Sequence, residues 1–141
     1  MLSDELKKIT EQIKNQGEMH FLEGATEEQI KEFEQKHSVS LPLKFKEWLQ
    51  FSDGGECFLP AGVQIYGVAH KPIINPKEDD RPDDSYIVIG ALASGDPLLC
   101  EKTGERISIY NHDDGVIESD ETYSDFFAFL NDLYDLLGIG V

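Results

Sequence analysis

At 141 residues, with 40% apolar and 10% aromatic content, the chain is long enough to bury about two thirds of its unfolded surface and too hydrophobic to stay disordered. Its 28 acids against 12 bases leave a net charge of −16, which repels nucleic acid and anionic membrane and argues against direct binding to either. No run approaches the roughly 18 apolar residues of a membrane span, and Met1 to Lys8 lack the apolar centre of a secretory signal, so one cytoplasmic domain over residues 1–141 is expected.

In chain order, Leu6, Ile9 and Ile13 recur at helical spacing between Ser3, a good N-cap residue, and Gly17, which predicts an amphipathic first helix. Glu18 to Gly24 holds Met19, Phe21 and Leu22 without a period and reads as a connector. Thr26-Glu27-Glu28-Gln29 fits a capping box and opens a second helix with Ile30 and Phe33 inward. The third helix is the best marked. Pro42 lacks the N–H that a first turn leaves unpaired, Phe45, Trp48, Leu49 and Ser52 follow on one face, and Gly54-Gly55 permit a left-handed stop.

The period then changes from helical to extended. Cys57–Leu59, Val63–Tyr66, Tyr86–Leu92, Leu98–Glu101 and Arg106–Tyr110 are short β-branched or aromatic runs separated by Gly, Pro and Asp, as strands are. The Tyr86 run is apolar on both faces and so reads as central. Lys102–Glu105 and Asn111–Gly115 look like hairpin links, the second leading to Val116–Glu118, which predicts antiparallel neighbours. The stretch between Tyr66 and Tyr86, with Pro72, Pro76, Pro82 and the acidic run Glu78 to Asp84, reads as an exposed loop. Phe126, Phe127, Leu130, Leu133, Tyr134 and Leu137 then form an apolar stripe, with Ser124 as N-cap, Asp125 in the first turn and Gly138 as terminator. The expected fold is α+β, with N-terminal helices, a central, mainly antiparallel sheet of about five to six strands and a C-terminal helix packed on it.

No catalytic constellation stands out. There is no G-x-S-x-G elbow, phosphate-cradling glycine loop with lysine, H-E-x-x-H or paired C-x-x-C. Cys57 and Cys100 lie in strand-like runs away from any cluster of bases and read as buried reduced thiols. The acids around His112-Asp113-Asp114 and in Glu78 to Asp84 do not match a calcium loop, and His112 reads as a turn residue rather than a base. No catalytic residue, cofactor or metal is therefore assigned. The charge itself is the strongest functional signal: residues 1–77 hold 12 acids and 9 bases, residues 78–141 hold 16 acids and 3 bases. Concentrating like charge in one half costs self-repulsion, which invites a functional reason.

The string Leu41-Pro42, an aromatic helix, then Asp53-Gly54-Gly55 resembles the SUKH superfamily, which includes bacterial immunity proteins and fungal cell-wall regulators. The resemblance runs from the Thr26 helix to the Phe126-Phe127 helix, with weaker matches at Gly95-Asp96 and His112-Asp113. Asp53 stands where the family often has Asn, a change expected to alter only the turn. The resemblance implies a non-enzymatic protein that binds a toxin, often a nuclease, and neutralises it in the producing cell. An acidic partner suits the basic groove a nuclease needs for phosphate. The expected toxin-facing surface draws on Asp79, Asp80, Asp83 and Asp84 before the central strand, and on Asp113, Asp114, Glu118, Asp120 and Glu121 after the fifth.

The competing reading of these acids is two solvated loops, and another possible surface uses Tyr66, Tyr86 or Tyr110 as aromatic anchors. The runner-up function is an intracellular regulatory adaptor binding a signalling or cell-wall-synthesis protein. A long disordered tail is expected there, whereas this sequence continues only four residues past Leu137. A small hydrolase or metal-dependent enzyme would need a concave pocket holding a perturbed ionisable group.

Overall fold

The computed structural model describes residues 3–59, 62–77 and 80–137, and their side chains apart from those of 118–120. Four helices and seven strands follow one another among these residues: α1 (Asp4–Gln16), β1 (Glu18–His20), α2 (Glu27–His37), α3 (Leu43–Phe51), β2 (Gly55–Leu59), β3 (Val63–Ile65), β4 (Tyr86–Leu92), β5 (Pro97–Glu101), β6 (Ile107–Asn111), β7 (Val116–Tyr123) and α4 (Phe126–Leu136). The α+β fold expected from the sequence is the fold observed. Its sheet has seven strands in the order β1 to β7, every neighbouring pair antiparallel, one or two more than the runs of β-branched residues suggest. The extra strand is β1, part of the presumed connector.

The helices start where their caps stand. Ser3 accepts from Leu6 N, and Thr26 and Gln29 close the capping box reciprocally. At the fourth helix the N-cap is Asp125, whose Oδ1 accepts from Ala128 N at 2.8 Å, and not Ser124. An aspartate in the extended conformation offers the first turn both an acceptor and a negative charge, which outweighs a serine one residue earlier. Gly138 lies outside the described residues. Pro42 takes the N-cap position of α3 and has no side-chain acceptor to give. Glu105, from the β5–β6 hairpin, supplies it: Leu43 N and Lys44 N donate to its two oxygens at 2.8 and 3.1 Å.

The core lies between the helices and one face of the sheet. Leu6, Ile9 and Ile13 of α1, Phe45, Trp48 and Leu49 of α3 and Phe126, Phe127, Phe129, Leu130 and Leu133 of α4 are all buried over Ile87, Ile89, Leu98, Cys100, Ile107 and Ile109. Phe126 stands between Phe45 and Trp48, with ring centroids 5.0 and 5.8 Å away, in the tilted arrangement that aromatic quadrupoles favour. Burying such a side chain contributes about 2–3 kcal/mol each.

The other face of the sheet carries a smaller layer. Val88 pairs with Leu99, and Leu99 with Ser108; all three are buried yet outside the helix-side cluster. Arg81 Nη1 donates to Tyr86 O at 2.7 Å, and the charge of Asp80 is felt at His112.

The segment from Tyr66 to Tyr86 is only partly the exposed loop it resembles. Residues 80 and 82–85 are exposed, but Val68 and Ile74 are buried in the core, and Gly67 bridges Ile73. What holds the first part down is Asp53. Its carboxylate is 0% exposed and accepts from Val68 N at 2.7 Å, Ala69 N at 2.8 Å, His70 N at 2.7 Å and the His70 ring at 2.9 Å. The expectation that Asp53 affects only the turn is therefore corrected: a side chain fifteen residues upstream of Val68 organises that segment. Ser52 beside it is also fully buried, accepting from Leu22 N and donating to Gly54 O, while Trp48 Nε1 donates to the same carbonyl at 3.1 Å. Gly54 and Gly55 take φ of 98° and 116°, as the Gly-Gly string predicts.

Candidate partner-binding surface

Adjacent antiparallel hairpins put alternate turns at one end of a sheet, and here two such turns meet. The β4–β5 turn is closed by Gly95 N donating to Leu92 O and Leu92 N to Asp96 O. The β6–β7 turn is built on Asn111, whose carbonyl accepts from Gly115 N and whose Oδ1 accepts from Asp113 N and Asp114 N. Gly95 and Gly115 have φ of 95° and 70°, the left-handed geometry such tight reversals need.

Across the gap, Asp96 Oδ1 takes the backbone N–H of His112 at 3.2 Å and its ring Nδ1 at 2.5 Å. His112 Nε2 lies 3.4 Å from Asp113 Oδ1. The hydrogen bond to Asp96 raises the His112 pKa above its ordinary value, against some desolvation, and the charges of Asp113, Asp96 and Asp80 push the same way. His112 is thus a turn residue held among acids that favour its protonated form, and the two weak strings Gly95-Asp96 and His112-Asp113 prove to be one contact.

The acids expected at the partner surface divide by position. Asp80, Asp113 and Asp114 are exposed; Asp113 lies beside His112, and the charge of Asp80 is felt there. Asp83 and Asp84 precede the opposite end of β4, about 20 Å of strand away, where local partners occupy them. Asp83 accepts from Ser85 N and Ser85 Oγ, which holds its carboxyl below the usual range, and Asp84 pairs with Arg81 at 2.9 Å. Glu121 is half-buried in the second half of β7. Glu118 and Asp120 belong to the same strand, though their side chains are not among those described, and Asp79 lies outside the described residues. Of the tyrosines considered as anchors, Tyr66, Tyr86 and Tyr110 are all half-buried.

The two thiols and His70 are otherwise engaged. Cys57 and Cys100 are buried free thiols; burial pushes Cys57 up to about 12 and raises Cys100 as well, far from a reactive thiolate at neutral pH. The second ring nitrogen of His70 faces the Glu23 carboxylate at 3.9 Å, not a hydroxyl or thiol that it could activate. Among the described residues no group of three or more His, Cys, Asp or Glu side chains is placed to hold a metal ion.

The Pro-capped aromatic helix, the Asp53-Gly54-Gly55 stop and the paired turns all lie within a stretch that matches one family model, described as the SMI1 / KNR4 family (SUKH-1), over residues 24–132. The chain belongs to the SUKH-1 family. That match covers α2 through most of α4, so α1 and β1 are the elements that precede the family region. No curated protein matches the chain. Among the described residues no helix is long and apolar enough to cross a membrane.

Two features of this SUKH-1 chain escaped the sequence. Asp96 and His112 are sixteen residues apart and meet only because β5 and β6 pair. Asp53 and His70 are seventeen apart and meet through a segment with no regular structure. No local pattern announces either, though a histidine and an aspartate in alternate hairpin turns are a signal once the hairpins are assigned.

Proposed function

We propose that this SUKH-1 chain is a cytoplasmic immunity protein, not an enzyme, that binds and neutralises a cognate toxin with a basic surface, a nuclease being the class that best fits. The observation that carries this reading is the uneven charge: residues 78–141 hold 16 acids against 3 bases, and Asp80, Asp113 and Asp114 of that half are exposed near the paired turns. A nuclease must present cationic groups to phosphate, and an acidic protein competes for that surface. Opposed fields raise association toward roughly 10⁸–10⁹ M⁻¹s⁻¹ at low salt, which suits a protein that must reach its toxin before the toxin reaches nucleic acid.

The test is co-expression with a nuclease toxin encoded beside this chain, together with direct binding at low and high salt. Rescue of growth with binding that weakens in salt is the expected result. Neither rescue nor binding would shift the function to an intracellular regulatory adaptor. Rescue that survives charge reversal at Asp80, Asp113 and Asp114 together would place the interface elsewhere.

A further inference from the structure

β2 is the strand where alternation fails. Cys57 and Phe58 are consecutive, yet both belong to the helix-side core. Phe58 gets there with a φ of 60°, left-handed geometry that is rare for a bulky residue. β1 skips it, pairing Met19 with Cys57 and Glu18 with Leu59. In a regular strand the residue after Cys57 would face the opposite side of the sheet. Instead the Phe58 ring packs beside Gly17 and Tyr134, and the opposite face loses a large side chain at that place.

The vacated face has a polar floor, a cross-strand row in which His20 stands opposite Glu56, Glu56 opposite Gln64 and Gln64 opposite Ala91. A hollow of about 240 Å³ lies over Glu56, Gln64 and Ala91, with Leu59, Gly62 and Ala93 among its walls and no cationic side chain among its described lining. Small residues keep it open; Gly62 approaches so closely that a Cβ there would sit 1.9 Å from Cys57 O. Glu56 is half-buried, and neither its carboxylate nor the Gln64 amide has a hydrogen-bond or ion-pair partner among the described residues. Ala93, at the rim, opens the β4–β5 turn that carries Asp96, so the hollow is continuous with the paired turns.

We propose that this hollow is the socket for one arginine side chain of the protein partner. Glu56 receives the guanidinium, Gln64 offers its amide oxygen, and the alkyl stem lies over Ala91 and Gly62. A partly desolvated carboxylate with no partner regains most from a planar, weakly hydrated cation that can bond it in a fork. Buried arginines of this kind dominate binding where rim charges only steer. The identity of the partner rests on the immunity reading; the socket does not.

The decisive experiment is an NMR titration with N-acetyl-arginine amide, with N-acetyl-norleucine amide as the uncharged control. Amide shifts at Glu56, Gln64 and Ala91 to Ala93 should move with the arginine probe alone. Glu56→Gln should weaken its binding about tenfold, and Ala91→Leu, which fills the hollow, should abolish it. Shifts confined to Asp113 and Asp114, or binding unchanged in Glu56→Gln, would overturn the socket. The co-encoded toxin separates the two readings. If it binds wild type and Glu56→Gln equally, the socket fails and immunity stands; if it binds neither, immunity fails and the arginine titration alone decides the socket.

Discussion

Replacing Asp53 by Asn keeps the shape of the side chain and exchanges one acceptor oxygen for a donor. Oδ2 alone accepts three of the four bonds, from Ala69 N, His70 N and the His70 ring, so an amide nitrogen there would face donors with nothing to accept. Asp53→Asn should cost about 2 kcal/mol in urea denaturation, the penalty of buried N–H groups left unpaired; a loss below about 0.5 kcal/mol would reduce Asp53 to a turn former. His112 gives a pH-dependent counterpart. Its folded pKa is raised above the ordinary 6.5, so the Asp96 pairing stabilises the fold fully below that value and is lost as pH rises through the raised one. An imidazole titration should show a midpoint above 6.5 that falls in Asp96→Asn; equal midpoints in both proteins would mean that the contact is absent in solution. The thiols should stay silent toward a chromogenic disulfide near neutral pH and react only on unfolding, because Cys57 is held at about 12 and Cys100 is buried beside Glu101.

Among the elements, α3 depends most on a distant residue. Pro42 fixes where it starts but cannot cap it, and Glu105 completes the first turn from the β5–β6 hairpin. Glu105→Ala should cost about 1 kcal/mol, read as a lower melting temperature, while Glu105→Gln should recover part of it. The helices were legible because each carries its period, and α1 and α2 their caps as well, in a few consecutive residues: Ser3 before Leu6, the Thr26 box, the Phe45–Trp48–Leu49 face. β1 was not, since Glu18–His20 is too short for alternation to show and exists because β2 pairs with it. The second half of β7 was hidden for another reason: Asp120 and Glu121 are poor strand formers, and the stretch is extended where Thr122 pairs with Ser108 and Tyr123 with Ile107. The hollow over Glu56 was illegible too, because it depends on one φ angle at Phe58. Holding a phenylalanine there costs about 1–3 kcal/mol, which its packing must offset.

Over the whole molecule the charge of −16 sets the conditions for stability as well as for binding. Few ion pairs oppose it among the described residues, and some of them, such as Lys44–Glu5 and Arg106–Glu101, are largely exposed. Screening should therefore relieve more repulsion than attraction, and sodium chloride between about 10 and 300 mM should raise the melting temperature. A fall would mean that surface pairing dominates. Association with a basic partner should respond in the opposite direction, so one salt series separates folding from binding. The charge asymmetry was plain from the sequence, but where it acts was not, because the charge of Asp80 reaches His112 only through long-range packing that no local window contains. The strand order has a kinetic corollary. Because each strand pairs with its neighbour in the chain, β4 to β7 can zip up through short loop closures, which are fast, while β1–β2 and β3–β4 close over the longer segments 21–54 and 66–85. α4 breaks that locality: it packs on α1 and α3 at the far end of the chain, bringing Phe126 to Phe45 and Trp48, and Tyr134 to Phe58. A ribosome releasing this chain thus delivers α1, α3 and the sheet before α4, and the seats of Phe126 and Tyr134 beside Phe45, Trp48 and Phe58 stay unfilled until α4 emerges.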